Sequence, residues 1–280
     1  MTEVVSAALA DGGLEPPKLI ASDLDGTLLD SAGQLSRRTA DAMTAVQALG
    51  IGLVIATARP PRWMHDLTEI IGDHGVVICS NGAFVYDVPH RTVLAERSLT
   101  TAVVTELVAA LRASIPGIAF AVESATGFSR EPVYVDVHRA APDTPVRDIA
   151  HLLEPLPGKL LARAPELDPD EFIAAVTDVV GDAAVVNYSG ASGLAEISAA
   201  GVTKAAVLAE WAAERGVGAD DVWAFGDMPN DLAMLSWAGT SFAVANAHAD
   251  VRVASTYTIG SNDDDGVAQV VELLLSPSSD

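Results

Sequence analysis

The chain has 280 residues, half of them apolar and only 5% aromatic, with a formal charge of −22. That length suits one large domain or two moderate ones, with a core built mainly from Ala, Val, Leu and Ile. The acidity excludes a nucleic-acid surface, which needs a positive footprint, and requires any anionic ligand to be drawn by a local site holding a cation.

Residues 1–17 end in Pro16-Pro17 and read as a loosely ordered lead-in. This segment has no basic start of the kind a signal peptide carries, and no later apolar stretch is long enough to span a bilayer. A cytoplasmic protein without a membrane partner is therefore expected. A short apolar run, Lys18 to Ala21, stops at Asp23. Helical spacing from Ser36 to Leu49 follows, with Ser36 as its cap and Gly50 as its stop. Ile51 to Ala56 predicts a strand, the segment after Pro60-Pro61 a helix to Ile71, and Val76 to Ser80 a third strand. Cys79 is the only cysteine, so no intrachain disulfide forms, and its apolar neighbours mark a buried, inert thiol.

Eight of the fifteen prolines fall between Pro116 and Pro169, so the middle of the chain must be rich in short elements and loops. Helical patterns at 100–114 and 169–180 alternate there with strand-like runs at 117–123, 159–164 and 183–189. After residue 200 the first pattern returns: helix 203–215, strand 222–225, helix 231–237, strand 241–244 and helix 265–275. This alternation predicts an α/β fold, a doubly wound parallel sheet of residues 1–83 and 194–280, interrupted by an inserted α/β domain at 84–193.

Two acidic clusters follow predicted strands. In Asp23-Leu24-Asp25-Gly26-Thr27 the two aspartates lie two apart, at a strand end where open α/β sheets bind ligands. Such a pair can hold a hard divalent cation while one carboxylate attacks and the other moves a proton. The second cluster is Gly226-Asp227-Met228-Pro229-Asn230-Asp231; helix capping by Asn230 or Asp231 is its ordinary role. Thr57 and Arg59 follow another strand, and Lys204 starts a helix where it can offset phosphoryl charge. No phosphate-binding Gly-x-x-x-x-Gly-Lys loop occurs, and the six histidines show no zinc spacing.

Taken in order, Asp23 to Thr27, Thr57, Lys204, and Gly226-Asp227 through Asp231 resemble the four motifs of the haloacid-dehalogenase-like superfamily of phosphohydrolases. The insertion between the second and third motifs, with Ser80-Asn81-Gly82-Ala83, Asn246-Ala247 and Asp265-Gly266-Val267-Ala268, resembles its Cof-like subgroup. Ala58 stands where that subgroup has glycine, and Val244-Ala245 where it has Met-Gly. The resemblance implies a phosphatase acting on small phosphate monoesters such as sugar phosphates. It assigns Asp23 as nucleophile and Asp25 as acid–base. Mg²⁺ is held by Asp23, the Asp25 main-chain carbonyl and Asp227, beside Asn230 or Asp231. Thr57, Lys204 and main-chain N–H groups near Asp25 and Thr27 hold the phosphoryl oxygens. Thr27, Arg59, Asn81, Gly82 and Asn230 are further substrate-binding candidates, and the insertion acts as a cap. Within the cap Arg130, His138, Arg163 and Tyr188 are specificity candidates. A phosphotransferase or mutase on the same site, or an idle sugar-phosphate-binding regulator, is the alternative, and the residues leave the oligomeric state open.

Overall fold

The computed structural model describes residues 2–64, 75–136, 141–189 and 193–275. Its larger sheet begins with β1 (Leu19–Ser22), β2 (Gly52–Ala56) and β3 (Val76–Cys79), then turns back through β4 (Phe84–Asp87) and β5 (Thr92–Glu96). A second, smaller sheet follows: β6 (Ala119–Ser124), β7 (Gly127–Arg130), β8 (Lys159–Arg163), β9 (Ala184–Asn187) and β10 (Leu194–Ala199). The chain then rejoins the first sheet as β11 (Val222–Gly226), β12 (Thr240–Ala243) and β13 (Tyr257–Thr258).

The larger sheet has the order β13-β12-β11-β1-β2-β3-β4-β5, parallel from β13 to β3 and antiparallel beyond. All four residues of β1 are buried, as a strand covered on both faces requires. β1 pairs with β11 on one side, Ser22 opposite Phe225, and with β2 on the other. Both acidic clusters therefore leave neighbouring strands at the same sheet edge.

Helix 37–48 begins where expected, the Ser36 side chain accepting from the Thr39 N–H. The smaller sheet is antiparallel, in the order β7-β6-β8-β10-β9. One face packs on helices 101–114 and 169–180 through Phe120, Leu160, Phe172 and Ile197. Ala121, Tyr134 and Leu161 cluster separately, with Phe128 and Leu194 against them.

Three expectations change. The insertion's first two strands, β4 and β5, extend the larger sheet as an antiparallel ribbon, while β10, assigned by sequence to the core, pairs with β8 and β9. By sheet membership the smaller unit lies between Glu96 and Lys204. The lead-in is a helix, Thr2–Ala10, because Val5, Ala8 and Leu9 supply an apolar stripe; Val5 is buried, and Leu14 after the helix joins the same core. The C-terminal segment is helical only over Gly266–Val271 and tightens into a 3₁₀ turn to Leu275. The helix expected to run to Ile71 falls mostly on residues 65–74, outside the described residues; Pro61–Trp63 form a 3₁₀ turn.

The aromatic packing under β11 and β12 is the tightest test of this core. Phe242 stacks between Phe225 and Tyr257, with ring centroids 4.6 and 5.5 Å away, and is fully buried. Phe242→Ala lowers stability by about 3–5 kcal/mol, measured as a drop in the urea midpoint.

Candidate active site

Four turns converge at the end of the parallel strands. β1 delivers Asp23, whose N–H extends the ladder to the Phe225 carbonyl. Gly26 turns the chain with φ +78°, and a Cβ there would lie 2.4 Å from Asp227 Oδ2. Only glycine lets the two acidic loops close on one another. Thr27 then donates its hydroxyl to Asp227 Oδ1 at 3.1 Å. Asn246 and Asn262 brace this loop from the other side, donating to the Gly26 and Leu29 carbonyls at 2.8 and 2.9 Å.

Lys204 occupies the first position of helix 204–213, fixed there because Thr203 caps the helix through the Ala206 N–H. Its ammonium is buried and donates to Asp23 Oδ1 at 2.5 Å and to Asp231 Oδ1 at 2.7 Å. The other Asp231 oxygen accepts the N–H groups of Asp227 and Met228, both at 3.1 Å. Asp231 therefore braces its own loop instead of capping the next helix.

Asp23, Asp227 and Asp231 bring carboxylate oxygens within 4.8 Å of one another. Three carboxylates face one ammonium, an excess of two negative charges. Burial drives the Asp23 carboxyl well above the ordinary range, Lys204 pulling it back only in part. Asp227 is pushed up to about 7, by burial first and then by Asp231. Burial works against the Lys204 charge, but Asp23 and Asp231 outweigh it and push that group up. The surplus charge, the oxygen-only donor set and the raised carboxyls fit a hard divalent cation such as Mg²⁺.

The remaining sequence candidates surround this cluster. Thr57 is buried; its hydroxyl accepts the Arg59 N–H at 3.0 Å. Arg59 grips Asp25 through Nε at 2.8 Å and Nη2 at 2.5 Å. Asn81, at φ 58°, accepts from Asn230 at 3.1 Å and donates to Glu196 at 3.2 Å. Gly82 is buried with φ +110°, where a Cβ would meet the Thr203 carbonyl oxygen at 2.6 Å; it lets Thr203 and hence Lys204 approach.

A cavity of about 430 Å³ opens above Asp23 and Asp25 and is roofed by the smaller sheet. Among the described residues Trp63, Phe128, Tyr134, Lys159, Glu123 and Glu196 line it, and Arg130, Arg163 and Tyr188 do not. Arg130 instead donates to the carbonyls of Glu131 and Tyr134. His138 lies outside the described residues. The missed lining residues carried a signal in the alternation of β6, β8 and β10. Pairing sets Glu123 opposite Lys159, and Leu161 opposite both Ala121 and Glu196, so alternate residues share one face.

An α/β hydrolase with aspartates gathered at the ends of parallel strands is the class this fold and site match. Residues 20–271 match the family of haloacid dehalogenase-like hydrolases, and the chain belongs to that family. It is 28% identical to the putative phosphatase YxeH of Bacillus subtilis, across 92% of this chain and 99% of that one. It is 26% identical to the pyridoxal phosphate phosphatase YbhA of Escherichia coli, across 91% and 97% of the two chains. The crystal structure of SMU.1108c from Streptococcus mutans superposes with a TM-score of 0.78 at 25% identity, covering 92% of this chain and 99% of that one. No helix among the described residues is long and apolar enough to cross a membrane.

The raised Asp227 carboxyl has a measurable consequence without metal. Its ordinary value of 3.8 applies to the unfolded chain and about 7 to the folded one, so between these the folded state holds the extra proton. Stability from this group is then lost as pH rises from about 4 to about 7. Thermal melts in a chelator fall across that window, and Asp227→Asn flattens the slope.

Proposed function

We propose that this chain is a Mg²⁺-dependent phosphatase that hydrolyses small phosphate monoesters through an aspartyl-phosphate on Asp23. The observation that carries this reading is the buried Lys204 bridge between Asp23 and Asp231, with Asp227 alongside and Asp25 on the same cavity. A structural ion pair has no need of two surplus carboxylates, and a binding module has no need of a nucleophile beside an acid–base group.

Asp23, Asp227 and the Asp25 main-chain carbonyl would hold the ion, with Asp231 and Asn230 adjacent. Bound there, it would mask the repulsion between a carboxylate nucleophile and a phosphate dianion. Asp23 attacks phosphorus in line, forming the O–P bond as the ester P–O bond breaks. Lys204 holds Asp23 in place and offsets charge on the transferring group. Asp25 gives its proton to the leaving alkoxide, then takes one from the water that cleaves the aspartyl-phosphate. Arg59, which grips Asp25 in this arrangement, stands at the cavity beside the place the phosphoryl oxygens would take. Thr57, Thr27 and main-chain N–H groups complete the cradle for those oxygens. Asn81 and Asn230 meet the substrate at the cavity wall, and Gly82 supports the turn behind them. The smaller sheet covers the site and keeps bulk water from the intermediate.

Asp23→Asn, nearly isosteric and still able to accept from Lys204, abolishes Mg²⁺-dependent phosphate release while the circular dichroism spectrum stays native. Asp25→Asn lowers kcat by at least about 100-fold. Comparable turnover in a folded Asp23→Asn protein removes that residue from the mechanism; a loss below tenfold at Asp25 moves the acid–base role elsewhere.

A further inference from the structure

The cleft between the two sheets is divided. Beside the cavity over Asp23 lies a second one of about 480 Å³. Its floor is the antiparallel ribbon, with Tyr86 on β4 and Thr92 and Val93 on β5; its roof is the turn from β6 to β7, Ser124 to Gly127. Among the described residues only Arg62 and Glu123 line both cavities. Arg62 comes from the turn after β2 and Glu123 from β6, so this pair spans the cleft from the larger sheet to the smaller. Arg62 places Nε and Nη2 on the buried Glu123 carboxylate at 3.1 and 2.5 Å, a fork of charge-assisted bonds. The same guanidinium lies 4.6 Å from the Trp63 ring centroid and 5.2 Å from that of Phe128. A side chain held by a carboxylate and two rings is a wall, not a mobile tip.

Resting on the phosphatase reading above, we infer that the Arg62–Glu123 pair is a partition that sets how far the alcohol part of a substrate can extend, confining it to the compartment over Asp23. That compartment, about 430 Å³, has room for the phosphate ester of a compact, single-ring alcohol. An alcohol that continues past the pair must displace Arg62 from Glu123, Trp63 and Phe128 together, or leave the wall they form, and either course weakens its binding. The space beyond is suited to such an extension once it is opened. Tyr86, Val93 and Ala125 give it apolar surface, and Thr92, Ser124 and Thr126 carry hydroxyls. The pair therefore selects by length, and its removal joins two compartments of similar size into one.

The test uses short and long esters with Mg²⁺, matched in leaving hydroxyl and in charge. Glucose 6-phosphate is set against maltotriose phosphorylated on the 6-hydroxyl of its non-reducing glucose, and phenyl phosphate against biphenyl-4-yl phosphate. In each pair whose short member is turned over, native kcat/KM for the short ester exceeds that for the long one by at least about tenfold. Arg62→Ala combined with Glu123→Gln opens the partition without leaving a buried carboxylate unpaired, and lowers that ratio by about tenfold or more. Arg62→Met combined with Glu123→Leu refills the space with apolar atoms and keeps the native ratio. A ratio that falls there as well assigns the selectivity to charge and overturns the partition. A merely structural role would lower both members alike and leave the ratio unchanged, so an unchanged ratio in the folded Arg62→Ala/Glu123→Gln protein overturns the assignment to this pair. Equal use of short and long esters by the native enzyme, a result that needs no variant to fold, overturns the inference and leaves the phosphatase reading standing. Phosphate release from none of the four esters overturns the phosphatase reading and this inference together.

Discussion

The buried ammonium of Lys204, held between Asp23 and Asp231, is the contact on which the site's architecture depends. Each of its partners belongs to a different strand end, and each would be a buried carboxylate facing another carboxylate without it. Breaking such a pair is far more costly than the pair is stabilising, because the charge left behind has neither water nor a partner. Adjacent pairing of β1 and β11 brings the two acidic loops together; Lys204 supplies the charge that lets them stay there. Its placement in turn relies on backbone. Thr203 caps the helix, and Gly82 leaves room for the Thr203 carbonyl. Two residues outside the acidic cluster, Thr203 through its capping hydroxyl and Gly82 through its lack of a side chain, therefore decide where the cation sits.

The same logic separates what was legible in the sequence from what was not. Asp23, Asp25, Asp227 and Asp231 could be found because fully buried parallel strands read as apolar runs, and a carboxylate directly after such a run is conspicuous. The ribbon of β4 and β5 was assigned to the insertion because nothing local distinguishes a strand that extends one sheet from a strand that starts another. That choice is made by partners distant in sequence, as in the pairing of Cys79 with Phe84. β10 was misplaced for the converse reason: it is preceded by the whole insertion and followed by the core, and only its antiparallel pairing with β8 and β9 reveals its allegiance. The first helix was hidden by the prolines that end the segment, although Val5, Ala8 and Leu9 already marked an apolar face.

The cavity's roof was the least legible part, and its physics explains why. Lys159, Glu123 and Glu196 sit in strands whose other residues are mostly apolar, where a charged residue ordinarily signals a solvent-facing position. Here these residues are buried because the larger sheet's turns lie across that face: Glu123 meets Arg62, Lys159 meets the Ala58 carbonyl and Glu196 meets Asn81. Arg62 comes from the turn after β2, and Asn81 from the turn after β3; both reach across to the smaller sheet. A single sequence cannot announce a contact made between two different sheets.

The roof and the floor consequently share one hydrogen-bonded chain. Asn230, next to Asp231, donates to Asn81; Asn81 donates to Glu196; Glu196 accepts from Lys159; and Lys159 donates back to Ala58, between Thr57 and Arg59. The chain leaves the larger sheet at one acidic loop and returns to it at the Thr57 loop. Ala58 offers only its carbonyl to this contact, so the glycine-to-alanine departure at that position leaves the contact intact. Because the roof strands are held in register by their own ladder, they offer substrate a fixed wall, in contrast to a loop that adapts to its ligand. Discrimination in such a site comes from charge and shape already in place, so the pairing of each cation at the roof bears on what the cavity can hold.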